Sequence, residues 1–549
     1  MYVDKSISRQ HGKIYTRTLL RDSYRQGGKV KHHTIANLSK CSKEEIEAIK
    51  LALKHKGNLQ ELCSVKTDIQ TKLGLSVGAI WLLHSLAKRL HITRALGNTR
   101  MGKLALWQVI ARIIDHGSRL SAVRLAGQHA ICDLLGLDAF NEDDLYENLD
   151  WLSDNQARIE KRLFEARHEA GEVPTLYLYD VTSSYLEGKK NELGDFGYNR
   201  DRKKGKMQIV IGLLTDSDGE PVSVEVFQGN TTDPKTFIKQ IEKLAVRFGI
   251  KDVTMVGDRG MIKRGQIKKL GEVQYHYITA ITKSQIQSLI NKGTLQLELF
   301  DEELCEVELD DIRLILRRNP SRAKELEATR QGKIDKLKGV VDIQNEYLRC
   351  HKRAKVETAL KTIEGWLKRL KIAEFCTLDV SGRRFTLRVD EEARKKAGEL
   401  DGCYCIKTDV SKEKASKETV HDRYKDLADV ERAFRTMKTG LLEIRPVNVR
   451  KEQRTRGHVF VVMLAYSITR ELERLWAQID VKIEEGIDEL VAVTSNRIKI
   501  GRVSYQQVPE PRELGRKLLG AAGVSVPKVL PYRNVKVATR KKLTSRRKL

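Results

Sequence analysis

Five short segments decide the fold: TLYLYDV (175–181), MQIVIGLLTD (207–216), PVSVEVFQG (221–229), DVTMVGD (252–258) and YHYITAIT (275–282). Each is rich in Val, Ile, Leu or Tyr and is bounded by Gly, Asp or Pro, the pattern of a buried β-strand. A helical window from about Pro234 to Phe248 separates the third from the fourth, and a shorter one separates the fourth from the fifth. The order is three strands, helix, strand, helix, strand, which predicts an α/β domain on a mixed sheet.

That order is the one a ribonuclease-H-like core would have, and we assign it to residues 172–282 and 411–480. Between them, 283–410 breaks the rhythm with mixed strands and a charged helical stretch, and it is too long for a plain loop. It reads as an inserted subdomain. In its strand-like GCYCIKT (402–408), period two puts Cys403 and Cys405 on one face as buried thiols.

Residues 43–171 carry helical periodicity, as in KLALWQVIARIIDHG (103–117), and Trp107, Trp151 and Trp366 fall in helical patterns as core residues. Residues 1–42 alternate around Gly27-Gly28, from KIYTRTLLRDSYR to KVKHHTIANL, a β-hairpin with a basic edge. A C-terminal region, 481–549, ends in a tail with nine Lys or Arg between Lys528 and Leu549.

The 549 residues hold 101 Lys and Arg against 74 Asp and Glu, a net charge of +27 that points to a polyanionic partner. With 40% apolar residues the chain can bury a core, which excludes disorder as the main reading. The longest apolar run, Val459 to Tyr466, is far short of a membrane span, and the first residues hold no signal-peptide core. Eight Cys without regular spacing suit a reducing compartment, so the expected location is cytoplasmic, with the nucleoid. No phosphate loop or dinucleotide fingerprint supports ATP or NAD dependence.

Three acids stand out. Asp180 lies at the end of the apolar run TLYLYD, and Asp258 ends VTMVGD before Arg-Gly-Met. Either alone would be an ordinary cap or turn residue; two at matching strand ends are carboxylates that repel, and a divalent cation is one common compensation. Glu431 lies in YKDLADVERAFRTMK (424–438), where Tyr424, Leu427, Arg435 and Lys438 share its helical stripe. Taken alone, that stripe would be a paired surface face.

Together, YDVTSSYLEG (179–188), the segment from Phe196 to Phe237, VGDRGMI (256–262) and the segment from Tyr424 onward resemble the motifs of DDE transposases of prokaryotic insertion sequences, the superfamily with a Tyr, Arg, Glu, Lys helix signature. The resemblance spans about residues 174–470 and implies that the insertion at 283–410 is β-rich and precedes the last catalytic helix. It places the catalytic and metal-binding acids on Asp180, Asp258 and Glu431, and the signature on Tyr424, Glu431 and Lys438. The signature Arg falls on Leu427, a departure that puts its phosphate contact in doubt.

The resemblance implies a Mg²⁺-dependent enzyme with two ions per site, Mn²⁺ being an alternative. Asp180 would bridge them and Asp258 and Glu431 would each complete one, for in-line cleavage and strand transfer at terminal inverted repeats. The implied partners are double-stranded DNA, both ends and target, and further copies of the chain in a dimer or larger assembly; no membrane is implied. Contacts to DNA are expected from Tyr424, Arg435 and Lys438, from Arg200, Arg202, Lys203 and Lys204 in RDRKKGK (200–206), and from Arg445, Arg454 and Arg456. Taken alone, the 200–206 run would be a solvated hairpin tip and His458 a packing or capping residue. The region 43–171 would bind the DNA ends. Two other readings remain: a catalytically inactive DNA-binding descendant, towards which Leu427 leans, and a nuclease that does not join.

Overall fold

The computed structural model describes residues 1–10, 12–57, 69–169, 173–201, 203–445, 447–500, 503–531 and 533–540; Arg202 and tail residues 541–549 lie outside them. The chain forms two compact units, one of Met1–Ser85, Leu120–Asn141 and Arg474–Leu549, the other of Leu86–Arg119 and Glu142–Glu473.

In the first unit, β1 (Tyr2–Gln10), β2 (Lys13–Gln26) and β3 (Lys29–Asn37) form an antiparallel sheet. Gly27 and Gly28, at φ 59° and 77°, make the tight β2–β3 turn, a conformation that side chains resist at two successive positions. The helix Lys43–Lys54 starts on a capping box between Ser42 and Glu45. A second sheet pairs β4 (Ile69–Ser76) with Thr494–Ile500, a contact across more than 400 residues that no local pattern announces.

The second unit is built on an eight-stranded mixed sheet. Its centre is β5 (Leu176–Tyr185), β6 (Gln208–Asp216) and β7 (Pro221–Gln228) as an antiparallel meander, with β8 (Thr254–Gly257) and β9 (His276–Ala280) added in parallel on the far side of β5. The resulting order, β7-β6-β5-β8-β9, is the ribonuclease-H-like arrangement. Both faces of the sheet are covered, so β5 and β6 are buried almost throughout rather than in alternation. Tyr177, Tyr179 and Val181 pack with Phe237, Ile241 and Phe164 on one face. The edge strand β7 is protected because Gln156, on the helix Glu142–Arg167, donates to the Val224 carbonyl at 2.6 Å and Glu160 accepts the Val224 N–H at 3.3 Å.

Residues 283–410 contribute in two ways. The strands β10 (Cys305–Leu309), β11 (Ile312–Arg318) and β14 (Cys403–Thr408) extend the central sheet, β14 pairing antiparallel with β9. The hairpin of β12 (Cys376–Ser381) and β13 (Arg384–Val389) and the helices Pro320–Cys350 and Val356–Leu370 close around a separate core with Ile334, Leu337, Ile363 and Phe385 at its centre. Cys403 and Cys405 are buried free thiols in one cluster with Cys305.

Candidate functional site

The parallel ladder between β5 and β8 ends at the pair Tyr179 and Gly257. Asp180 and Asp258 are the next residue on each strand, so two carboxylates stand side by side where the strands part, the place at which open α/β sheets collect ligands. Asp180 is not at a strand end, as its sequence had suggested: β5 runs on to Tyr185 because β6 keeps pairing with it. Val181 N–H donates to Asp180 Oδ1 at 2.7 Å, and Arg259 N–H to Asp258 Oδ1 at 2.7 Å.

The 424–438 window is not one helix. It breaks at Asp426 into Lys417–Lys425 and Leu427–Lys438. Asp426 keeps helical dihedrals, and Tyr424, Leu427, Glu431, Arg435 and Lys438 still line one cleft with Asp180 and Asp258. Val430, Ala433, Phe434 and Met437 are the buried face that seats the second helix on the sheet, leaving Glu431 and Arg435 exposed. The cleft has a volume of about 790 Å³.

Burial is the main influence on Asp180, pushing its carboxyl up to about 7; the Val181 N–H and Arg200 pull it down, while Asp258 and Glu431 raise it further. Asp258 and Glu431 are thus both near enough to act on Asp180. Tyr424 is raised by burial and by the neighbouring Asp258 carboxylate. Lys438 is lowered by burial, offset by Asp201.

Asp201 is the residue that sequence reasoning missed. Its side chain is 1% exposed and receives Lys438 Nζ at 2.6 Å and Arg445 Nη1 at 2.5 Å. The Tyr185 N–H donates to its other oxygen at 3.1 Å. The only signal was an acid inside the basic run RDRKKGK. Lys438 also donates to Thr182 Oγ1 at 3.0 Å, and Arg200 is held by both oxygens of Asp233 at 2.9 and 2.8 Å. Lys438, Arg445 and Arg200 thus enter the cleft as anchored cations.

The other expected DNA contacts sort differently. Lys203 and Lys204 are exposed, Lys203 over the Tyr185 ring at 5.8 Å, while Arg202 is outside the described residues. Arg454 and Arg456 do not line the cleft. Arg454 pairs with Asp150 at 3.1 Å and Arg456 with Glu225 at 2.6 Å, tying the helix Glu452–Leu475 to its neighbours. Trp107 is fully buried and Trp151 and Trp366 are half-buried. His458 is 6% exposed inside the helix, a packing residue rather than a cap.

Among the described residues no three carboxylate, imidazole or thiolate groups stand close enough to hold one metal ion together. In the cleft, Asp258 and Glu431 each act electrostatically on Asp180. Their oxygens are hard donors, and no thiolate or imidazole is among the residues that line the cleft, which suits Mg²⁺ or Mn²⁺ rather than zinc or copper. No helix among the described residues is long and apolar enough to cross a membrane.

Residues 172–468 match a family model described as a transposase DDE domain, and residues 3–65 match one described as the N-terminal domain of the IS1634 family of transposases. No curated protein matches the chain. Among solved structures, the chain is similar to the piggyBac transposase synaptic complex with hairpin DNA, at 8% identity over 81% of this chain and 75% of that one, TM-score 0.33. It is also similar to the Mos1 transposase paired-end complex with left transposon end, at 9% identity over 30% of this chain and 58% of that one, TM-score 0.15.

Proposed function

The chain belongs to the transposase DDE domain family, and we propose that it cleaves DNA at the terminal inverted repeats of an insertion sequence and joins the freed ends to a target. The observation that carries the reading is the meeting of Asp180, Asp258 and Glu431 in one cleft from three separate elements, with Tyr424, Arg435 and Lys438 beside them. Two cations would be held there, Asp180 serving both, with Asp258 completing the first site and Glu431 the second. Divalent cations held there would supply activation of the attacking hydroxyl and stabilisation of the leaving oxygen.

The protein's own groups do the rest. Burial holds Asp180 ready to lose a proton near neutrality in exchange for a cation. Tyr424, beside Asp258 in the cleft, would orient its carboxylate. Lys438 and Arg445, fixed by Asp201, present positive charge to the strand without closing onto the acids. Exposed Arg435, Lys203 and Lys204 follow the backbone outward. Leu427 offers no phosphate contact where the family signature has Arg, and the anchored cations take over that charge.

The N-terminal region, including the 3–65 match, would recognise the element's ends. Both ends must be brought together for joining, so the working form is a dimer or larger on double-stranded DNA, in the cytoplasm at the nucleoid. The test is cleavage and joining by purified protein on the DNA flanking its own gene, with Mg²⁺ or with EDTA, wild type against Asp258→Asn. Mg²⁺-dependent 3′-hydroxyl ends that join a second DNA and vanish in the variant support the reading. Binding without cleavage in both proteins would favour the inactive, DNA-binding alternative.

A further inference from the structure

A second cavity in the same unit, of about 210 Å³, is lined by Arg112, His116, Arg119, Tyr146, Asn448 and His458 among others. Arg112 and Arg119 are 5% and 6% exposed. Arg112 donates to the main-chain carbonyls of His116 and Gly117, and its buried Nε has no hydrogen-bond partner. Arg119 donates to Gln108 Oε1 and meets His458 Nδ1 at 3.2 Å. Among the described residues neither guanidinium has a carboxylate within ion-pair distance.

Buried charges are ordinarily paired, because desolvation without a counter-charge is unfavourable, and here two like charges lie buried near each other. Burial pushes the guanidiniums down to about 10 and about 9, and both remain cationic at neutral pH. His458 is held well below the usual imidazole value of 6.5 by burial and by the two arginines, so it adds no compensating group. Asp115 and Glu443 act on Arg112 only from a distance. Glu443 pairs instead with His116 Nε2 at 3.4 Å, from a backbone at φ 40° that a non-glycine residue seldom adopts.

Planar guanidiniums with an unused N–H favour oxyanions, phosphate above all. Arg445 lines both this cavity and the catalytic cleft, so a strand passing the cleft runs close to it. We infer that the cavity is an anion site that receives one backbone phosphate of the bound DNA, with Arg112 and Arg119 as its counter-charges. The inference rests on the DNA reading of the cleft. Glu443 is the negative group that the phosphate displaces from the neighbourhood of Arg112.

The test uses the full chain and inorganic phosphate as the probe, with chloride at equal ionic strength as control. Phosphate raises the unfolding temperature of the wild type, raises that of Glu443→Gln further, and has no effect on Arg112→Gln. A second measurement follows DNA affinity against salt. Arg112→Gln lowers the slope of log affinity on log salt by about one, the loss of one phosphate contact. Should Arg112→Gln not fold, Glu443→Gln still decides, since Glu443 is half-exposed and the change removes only charge.

No phosphate effect on the wild type or Glu443→Gln overturns the anion site. Phosphate stabilisation with an unchanged salt slope overturns the DNA assignment and marks a site for free phosphate. Cleavage by the wild type is read in parallel: its absence beside a phosphate effect counts against the catalytic reading and leaves the anion site standing.

Discussion

The Asp201 carboxylate, 1% exposed, lies 2.6 Å from Lys438 Nζ and joins the 200–206 run to the end of the helix that carries Glu431. Arg445 shares the same oxygen, so one buried acid aims two cations into the cleft. Asp201→Ala strands both of them. It should cost about 3 kcal/mol in urea unfolding, the lower end for a broken buried pair because Arg445 is partly exposed. Asp201→Asn should fold better yet lose most cleavage, with DNA affinity reduced less. Unchanged stability of Asp201→Ala would show that the pair is not holding the cleft together.

The helices Glu142–Arg167 and Glu452–Leu475 meet backbone to backbone at Gly457, where an added Cβ would fall 2.1 Å from the Leu149 carbonyl oxygen. A carbonyl held in a helix cannot move aside, so Gly457→Ala should destabilise by about 3 kcal/mol, the upper range for overpacking. Denaturant unfolding measures it. A variant as stable as wild type would mean that the two helices can separate at little cost.

His458 sets a pH dependence. The folded protein holds it well below 6.5, the usual value that it regains on unfolding. Above about 6.5 both states leave it neutral and the full stability is present. As pH falls through 6.5 only the unfolded chain takes the proton, and stability drops by up to about 1.4 kcal/mol per pH unit. Unfolding at pH 7.5, 6.5 and 5.5 should show His458→Gln losing less stability on acidification than wild type. Parallel profiles would remove His458 as the source.

Binding to DNA should weaken steeply with salt, since a chain of net charge +27 releases many counterions from the phosphates it contacts. Filter binding between about 50 and 200 mM salt should show a fall of 10³-fold or more for six or more contacts. A nearly flat profile would leave the basic excess without a nucleic-acid role.

The three acids that meet in the cleft were legible as candidates because each sits in a local pattern: two apolar runs ending in Asp, and a helical stripe around Glu431. The break at Asp426 was not, since its helical dihedrals leave the periodicity undisturbed. The ion pairs of Arg454 and Arg456 were not legible, because their partners, Asp150 and Glu225, lie more than 200 residues away. The thiols at Cys403 and Cys405 were readable as one buried face, while the pairing of their strand with β9 was not.

By itself the sequence determined the strand order of the core, the three acids and the basic character of the chain, because apolar periodicity, turn residues and charge act over a few neighbours. Only the tertiary structure decided that Asp201 anchors Lys438 and Arg445, and that Arg112 and Arg119 are buried without a counter-charge. An ion pair, or its absence, is set by which distant side chains meet and how much water they keep. That is a property of packing, and the spacing of residues along the chain does not carry it.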